Sequence, residues 1–320
     1  MKKYIYILFI IFFVNVSDYY FALAQNSVLN GLVININPEY PIPNSLVKIK
    51  LETYQFDTDV ANISWYYNDV LIDSGIGKKE IEIKYPPLGI TAKVRVVATM
   101  SNGQNYAGGR VLGGSTVNLL YTPIDSYKPA WYEGMSLPAE GGKVKVYAEA
   151  YLYSNNKKIP SENLIYNWTI NDDPQPAMSG MGKRTSIIDM DPILGELYVE
   201  VVVKSLDGIY EAKSSTRISP QSPKLHIYYD DKALFPTHLN YDYIMKSPET
   251  MLVAEPYNSL IHKDVKYSWQ INGILANSIS KAFTMRRPDK AKGQVNININ
   301  YNNSNKLYQD DTYSGVIYFE

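Results

Sequence analysis

The sequence predicts an all-β protein made of three tandem two-sheet sandwiches that follow an N-terminal export signal. Two observations carry this prediction: a tryptophan-containing phrase recurs three times at nearly equal spacing, and each copy is flanked by stretches that alternate between apolar and polar residues. The length agrees, because 320 residues is the size of two or three ordinary domains. With 45 % hydrophobic and 20 % charged residues, the chain can also form several buried cores.

The first 24 residues carry the features of a secretory signal. Lys2 and Lys3 precede an apolar run from Tyr4 to Val14, and the small-x-small site Ala22-Leu23-Ala24 follows. We therefore expect residues 1–24 to be a signal peptide and Gln25 to be the first residue of the mature chain. This predicts an exported protein that is extracellular, on the cell surface or periplasmic.

A retained membrane anchor is the alternative for the same segment. The apolar run is shorter than the roughly 20 residues that span a bilayer, which favours cleavage. The aromatic residues 19–21 lengthen the apolar stretch, although Asp18 interrupts it. We expect membrane contact only through this segment, and only if it is not cleaved.

The repeat is centred on three tryptophans, Trp65, Trp168 and Trp269, which are 103 and 101 residues apart. Each tryptophan lies in an alternating stretch and is followed three residues later by an asparagine, and then by Asp or Gly. Asparagine followed by Asp or Gly is typical of a tight hairpin turn. The phrase therefore predicts a half-buried strand that runs into a hairpin, with the tryptophan as a core residue.

Other stretches around each tryptophan complete the sandwich. A strand-like segment ending in Glu-x-Tyr precedes each tryptophan, with glutamates at positions 52, 149 and 255. After each tryptophan comes a clear period-two alternation, at residues 92–98, 197–203 and 295–301. No convincing amphipathic helix appears after the signal. Six or seven short strands in roughly 100 residues predict a two-sheet sandwich in which the tryptophan packs between the sheets.

Glycine and proline clusters place the domain boundaries. Gly113-Gly114 closes the first unit, and the segment from Ser219 to Pro223 closes the second. The predicted domains are residues 25–114, 115–220 and 221–320. Because both joints are short, we expect neighbouring domains to pack end to end rather than to swing freely.

The phrase Tyr267-Ser268-Trp269-Gln270-Ile271-Asn272-Gly273 resembles the central strand motif of bacterial immunoglobulin-like and PKD-like surface domains. The related phrase around Trp168 shares this pattern. The resemblance implies tandem immunoglobulin-like domains in an exported bacterial protein. It also implies roles in spacing, adhesion or assembly rather than in catalysis.

Composition excludes several kinds of chemistry. The chain has no cysteine, so disulfides, thiol catalysis and cysteine-ligated metals are excluded. A formal net charge of −1 argues against nucleic-acid binding. The histidines His226, His238 and His262 have spacings that fit no short zinc motif. No cofactor or metal is predicted, and the protein is expected not to be an enzyme.

Two further patterns are interpreted as turns. The glycine-rich stretch 180–185 lacks the spacing of a phosphate-binding loop and predicts a hairpin or bulge. Acidic pairs such as Asp172-Asp173 and Asp230-Asp231 are typical of turns. Calcium at the domain joints stays open as an alternative, because such carboxylates are its usual ligands.

The stretch from Tyr121 to Tyr132 is the candidate contact site. It contains the one tryptophan outside the repeated phrase, together with three tyrosines and two prolines. Tyrosine and tryptophan on a stiff loop make good contact anchors because they lose little side-chain entropy on binding. We predict partner contact through Tyr121, Tyr127, Trp131 and Tyr132. The alternative is that this loop packs against its own domain or the neighbouring one.

These observations together predict a non-enzymatic exported protein of the cell envelope. It would act as a structural or adhesive stalk that presents aromatic loops to a protein or glycan partner of unknown identity. One alternative is a periplasmic accessory factor for a pilus or secretion system, which would bind a partner strand at a sheet edge. A carbohydrate-active protein is the second alternative.

Overall fold

The structure, a computed structural model, describes residues 31–229, 237–239, 242–261, 265–289, 292–303 and 306–319. The predicted signal, His262 and the Asp230-Asp231 pair lie outside the described residues. The all-β prediction is confirmed: the described chain consists of largely antiparallel sheets, and Ser161–Asn163 form a short 3₁₀ helix. None of the described residues belongs to a helix long and apolar enough to cross a membrane.

The first domain is a seven-stranded sandwich. The sheet with strand order β1-β2-β5 faces the sheet with strand order β4-β3-β6-β7, and Trp65 lies on the inner strand β3. The strands are β1 (Leu32–Asn37), β2 (Leu46–Thr53), β3 (Asn62–Tyr67), β4 (Val70–Ile76), β5 (Glu80–Lys84), β6 (Thr91–Thr99) and β7 (Asn105–Gly113).

The second domain repeats this arrangement with a longer connection between its first two strands. Its sheets have the orders β15-β9-β8 and β13-β12-β16-β17, and β14 also pairs with β12. The strands are β8 (Thr116–Pro123), β9 (Lys143–Tyr151), β10 (Tyr153–Ser154), β11 (Lys157–Lys158), β12 (Leu164–Ile170), β13 (Asp173–Pro174), β14 (Gly180–Met181), β15 (Thr185–Asp189), β16 (Leu197–Ser205) and β17 (Glu211–Ile218).

The third domain differs at its start. Strand β18 pairs with β21 in one sheet, whereas β20 runs parallel to β26 at the edge of the other. The sheets have the orders β19-β18-β21-β24 and β20-β26-β25-β22-β23. The strands are β18 (Lys224–Tyr229), β19 (Thr237–His238), β20 (Asp242–Met245), β21 (Glu249–Tyr257), β22 (Val265–Ile271), β23 (Ile274–Leu275), β24 (Ala282–Arg286), β25 (Gly293–Asn303) and β26 (Asp310–Phe319).

Each domain has its own core around its repeated tryptophan. The three rings are almost completely buried, and each packs among the inward-facing aliphatic residues of both sheets. Each indole N–H also finds an acceptor, which a buried polar group requires. The acceptors are backbone carbonyls just before the strand that follows the hairpin: Lys78 at 2.7 Å for Trp65, Lys183 at 2.9 Å for Trp168 and Ser280 at 2.8 Å for Trp269.

The repeated asparagine after the tryptophan also has the same role in each domain. All three asparagines have positive φ, as a tight hairpin turn requires. Each side chain accepts a hydrogen bond from a backbone N–H of the neighbouring strand: Asn68 from Lys93, Asn171 from Tyr198 and Asn272 from Asn296, each at 2.8 Å. The repeated phrase thus encodes both a core residue and the link that holds its hairpin to the next strand.

The glycine-rich stretch in the second domain forms a turn, but it connects the two sheets instead of closing the predicted hairpin, because β14 pairs with β12 and β15 pairs with β9. Gly182 has a φ of +70°, and its N–H donates to the carbonyl of Leu164 at 2.9 Å. Gly77 in the first domain has the same φ, and its N–H donates to Ala61 at 3.0 Å. The shared glycine pair therefore marks equivalent turns, at which the chain crosses from the sheet of the tryptophan strand to the opposite sheet.

Candidate functional site at the joint between the second and third domains

The connection between β8 and β9 leaves its own domain and packs along the third domain. Ser126 forms an isolated antiparallel bridge with Leu260. The N–H of Tyr127 donates to the carbonyl of Ser259 at 2.6 Å, and the N–H of Ile261 donates to that of Asp125 at 2.8 Å. This loop, residues 124–142, is therefore part of the joint between the second and third domains.

The aromatic residues of this loop stack on rings of the third domain. Trp131 meets Tyr228 at a ring-centroid distance of 5.0 Å, and Tyr132 meets Tyr257 at 5.8 Å, both in edge-to-face geometry. Such pairs are each worth about 0.5–1.5 kcal/mol beyond the area that they bury. Both contacts therefore hold the loop on the third domain.

A histidine pair extends this set of rings. Nδ1 of His226, on β18, lies 3.1 Å from Nε2 of His238, on β19. The ring of His226 lies 5.2 Å from that of Tyr257, and the ring of His238 lies 5.5 Å from that of Tyr228. The two histidines thus adjoin the two tyrosines on which the loop packs.

We call these six residues the joint cluster: Trp131, Tyr132, His226, Tyr228, His238 and Tyr257. Burial, followed by the nearby His238 and Lys224, holds the pKa of His226 below its ordinary value, while Asp311 opposes this effect. Burial and the hydrogen bond with Tyr228 raise the pKa of Tyr257. Both groups are therefore neutral in the folded protein at neutral pH.

A polar contact lies on the same sheet as the joint cluster. Glu255 is only 5 % exposed, and its carboxylate accepts a hydrogen bond from the hydroxyl of Tyr127. Lys281 pairs with the same carboxylate at 3.1 Å. Burial, and then the hydrogen bond to Glu255, raises the pKa of Tyr127, so its hydroxyl stays protonated as a donor. The buried charge is thus satisfied by one group from each domain.

The linker and the last hairpin of the third domain fix the joint further. The N–H of Gln221 donates to the carbonyl of Pro138 at 2.7 Å. The buried side chain of Gln309 accepts from the N–H of Leu260 at 2.8 Å and donates to the carbonyl of Glu140 at 2.9 Å. The Gln221 bond thus joins two backbone groups, and the Gln309 side chain bridges a backbone N–H of the third domain and a backbone carbonyl of the second.

The joint between the first and second domains is packed just as closely. A Cβ atom added to Gly114 would lie 1.9 Å from the carbonyl oxygen of Pro87, and one on Gly113 would lie 2.3 Å from the ring of Tyr210. The backbone of Gly114 also exchanges hydrogen bonds with residues 89 and 90. Gly113 therefore allows close approach of the second domain, and Gly114 allows the end of the first domain to lie against its own turn at residues 87–90.

A cavity of about 290 Å³ adjoins this first joint. It is lined on one side by Tyr40 and Arg110 of the first domain and on the other by Lys204 and Glu211 of the second. Lys204 and Glu211 form an ion pair at 3.1 Å. Burial, and then the charges of Glu211 and other carboxylates, raises the pKa of Tyr40 to about 12.

The structure separates the four predicted contact residues into two groups. Tyr127 and Trp131 are partly buried against the third domain, whereas Tyr121 and Tyr132 remain 38 % and 40 % exposed. The predicted partner contact therefore stays a prediction for the exposed rings. Packing of the loop on the neighbouring domain, which the sequence left open as the alternative, accounts for the other two and also involves Tyr132 through its contact with Tyr257.

Several features of this joint were not apparent from the sequence. The pairing of His226 with His238 depends on the short strand β19, and nothing in their 12-residue spacing identifies it.

Among the described residues, no group of three or more His, Asp or Glu side chains is arranged to hold a metal ion. The Asp172 of the acidic pair occupies a hairpin turn with positive φ, as its interpretation as a turn residue predicts.

Comparison with known proteins gives matches at the level of structure. No protein-family model and no curated protein matches the sequence significantly. The solved structures similar to this chain include the fibronectin(III)-like modules of Clostridium thermocellum CbhA, with 14 % identity, 59 % of this chain and 94 % of that one covered, and a TM-score of 0.30.

Immunoglobulin domains 1–5 of Sidekick-1 match with 10 % identity over 90 % of this chain and 59 % of that one, with a TM-score of 0.31. The central fibronectin-III array of RIM-binding protein matches with 9 % identity over 92 % of this chain and 98 % of that one, with a TM-score of 0.29. The sheets of the chain themselves show its fold, a tandem of immunoglobulin-like β-sandwich domains.

Proposed function

We propose that this protein is a non-enzymatic, exported component of the cell envelope whose three domains form a stiff stalk. The observation that supports this most is the packing of both joints. Bending at the second joint would break the bonds of Tyr127 and Gln309, and bending at the first would separate Gly113 from Tyr210. Short, closely packed linkers favour a fixed relation between domains.

We further propose that the stalk presents an aromatic surface near its second joint to a protein or glycan of the envelope. Tyr132 is the exposed member of the joint cluster on the second domain, and Tyr121 lies exposed at the end of β8. Both rings are attached to a rigid support, which lowers the entropy that binding would cost. Rigid exposed tyrosines are well suited to contact either kind of partner.

A second candidate function is that of an accessory or assembly factor that binds a partner strand. The edge strand β4 favours it, because Val70, Leu71, Ile72 and Ile76 on this strand are large apolar residues exposed to solvent. Exposed apolar edge strands are places where another strand can add to a sheet. The corresponding hairpin strands β13 and β23 are each only two residues long.

Small-angle X-ray scattering of the chain from Gln25 onwards tests the stalk. We expect an elongated particle whose maximum dimension is unchanged by salt, and a compact globular particle would contradict the proposal. Sequencing of the mature N-terminus tests export: a chain that begins at Gln25 supports it, and a retained Met1 favours the anchored accessory factor.

Capture of envelope proteins and glycans by the immobilised chain tests the aromatic surface. We expect Tyr121→Ala and Tyr132→Ala to weaken capture. Tyr54→Ala is the matched control, because Tyr54 is a fully exposed tyrosine of the first domain.

The Leu71→Lys substitution tests the second candidate function, since a charge on the β4 edge would weaken strand addition and leave the aromatic surface intact.

A further inference from the structure

Two of the three histidines of the chain meet on one sheet surface of the third domain. His226 lies on β18 and His238 on the neighbouring β19, where Tyr228 is the register partner of His238. His226 therefore lies diagonally across from His238, and their facing ring nitrogens are 3.1 Å apart. His226 is half-buried and His238 is exposed, so the pair is accessible from solvent.

The distance between the two nitrogens suits a shared metal ion. Zinc binds imidazole nitrogen at 2.0–2.1 Å. Two nitrogens 3.1 Å apart at that distance give a nitrogen–metal–nitrogen angle of about 98°. This angle lies between the roughly 90° of square-planar or octahedral coordination and the roughly 109° of a tetrahedron. The pair can therefore serve as two adjacent ligands once an ion replaces the hydrogen bond that the two nitrogens share and the rings turn towards it.

The surroundings hold one ring in place and leave space beside the other. The ring of His226 packs against Tyr257 at 5.2 Å in edge-to-face geometry. The exposure of His238 leaves room for water molecules to complete the coordination of an ion. Nearby charges are mixed: Lys224 disfavours a cation, Asp311 favours one, and Glu255 opposite His226 is already paired with Lys281.

We infer that His226 and His238 form a two-histidine binding site for a divalent transition-metal ion of the Cu²⁺, Ni²⁺ and Zn²⁺ group, with solvent as the remaining ligands. Imidazole suits these ions, whereas Ca²⁺ and Mg²⁺ prefer oxygen ligands that this pair does not offer. Affinity is expected to be highest for Cu²⁺, which follows the general order of these metals.

A bound ion would tie β19 to β18 directly beside the rings that carry the loop of the second domain. Both histidines contact tyrosines of the joint cluster, on which Trp131 and Tyr132 pack. An ion that binds only the folded state raises stability in proportion to the logarithm of its concentration over Kd. The ion would therefore stabilise the third domain next to the joint. This inference does not depend on the proposed function.

Isothermal titration calorimetry of the purified chain with Cu²⁺, Ni²⁺ and Zn²⁺ in turn tests the site. The chain carries no histidine tag, and Ca²⁺ is the negative control. We expect saturable binding of one ion per chain. His226→Gln and His238→Gln should each lower the affinity by at least about a hundredfold, because the advantage of two linked ligands is lost. Circular dichroism and thermal unfolding establish that each variant is folded.

His262→Gln is the control for the number of histidines, and it should leave one-to-one binding intact. A second measurement, line broadening by Cu²⁺ in NMR spectra, should concentrate at residues of the joint cluster in the wild type and vanish in the His226→Gln/His238→Gln double variant. Binding that is unchanged in this double variant, or equal loss in His262→Gln, would overturn the inference. So would the absence of saturable binding in the wild type.

Discussion

The hydroxyl of Tyr127 in the second domain donates a hydrogen bond to the buried carboxylate of Glu255 in the third domain. The two residues are 128 positions apart in the chain. Because the carboxylate is 5 % exposed, its charge depends on protein partners rather than on water. Lys281 supplies one partner from its own domain, and Tyr127 supplies the other across the joint. This contact couples the stability of the third domain to the position of the second.

Tyr127→Phe is expected to destabilise the third domain and loosen the second joint. Hydrogen bonds to charged groups contribute about 1.5–3 kcal/mol, and the carboxylate loses one while remaining buried. Urea unfolding should show a lower midpoint for the transition of the third domain. Tyr147→Phe is the matched control, because its hydroxyl also donates to a carboxylate, Glu149, but within the second domain. An equal shift of the third domain's midpoint in both variants would contradict a specific role at the joint.

Gly114→Ala is expected to displace the chain where it leaves the first domain and thereby to disturb the first joint. The added Cβ would lie 1.9 Å from the carbonyl oxygen of Pro87, so the backbone must shift. Overpacking of this kind costs about 1–3 kcal/mol. Gly75→Ala is the control, since its nearest neighbour atom to a new Cβ is 3.9 Å away. We expect small-angle scattering to show a broader distance distribution for Gly114→Ala and the wild-type profile for Gly75→Ala. Identical profiles for both would show that the joint does not depend on this approach.

The sequence allowed the fold to be predicted because its signals are local. The alternation around Val199 and Val201 predicts a half-buried strand, whatever the position of that strand in the sheet. Asn171 likewise marks a tight turn without information from the rest of the chain. The role of the Glu-x-Tyr phrase was not predictable in this way. Glu52 contacts Lys50 on the surface of its own strand, whereas Glu255 contacts another domain. The same three-residue pattern therefore acquires its role from neighbours that are distant in sequence.

The candidate site illustrates the same limit. The stretch from Tyr121 to Tyr132 was identifiable as unusual from its aromatic and proline content. Its orientation depends on the bridge between Ser126 and Leu260, which only the assembled tandem creates. The meeting of His226 with His238 likewise requires a short strand to return beside β18. Local pattern identifies which residues are exceptional, and tertiary placement decides what each of them contacts.

Asn171 offers a test of the repeated hairpin. Its side chain accepts from the N–H of Tyr198 at 2.8 Å, and its backbone has a φ of +51°. Asn171→Gly keeps the backbone geometry at little cost but removes the acceptor, for an expected loss of about 0.5–1.5 kcal/mol. Asn171→Ala also places an alanine in the left-handed region, which adds about 1–2 kcal/mol.

Chemical denaturation of the two Asn171 variants checks this order. Thr169, a neighbour on the same strand that takes no part in the turn, supplies the control variant Thr169→Ser. We expect stability to decrease from wild type to Asn171→Gly to Asn171→Ala. Equal destabilisation of the glycine and alanine variants would contradict the expected cost of placing alanine at a positive φ. Equivalent substitutions at Asn68 and Asn272 should follow the same order, since their contacts are the same.

From the raised pKa of Tyr40 we expect the stability of the folded protein to fall at alkaline pH. Its pKa is raised to about 12 in the folded protein, whereas an unfolded chain titrates near the ordinary value of 10. The folded state therefore keeps this proton over a window in which the unfolded state loses it. Its contribution to stability is complete below pH 10 and is lost progressively as the pH rises to about 12.

Tyr40→Phe has no such proton, so its melting temperature should fall less steeply than that of the wild type across the window. Tyr54→Phe, which changes a fully exposed tyrosine, should follow the wild-type curve. Parallel curves for the wild type and Tyr40→Phe from pH 9 to 12 would mean that this hydroxyl titrates equally in both states, contrary to its burial beside Glu211.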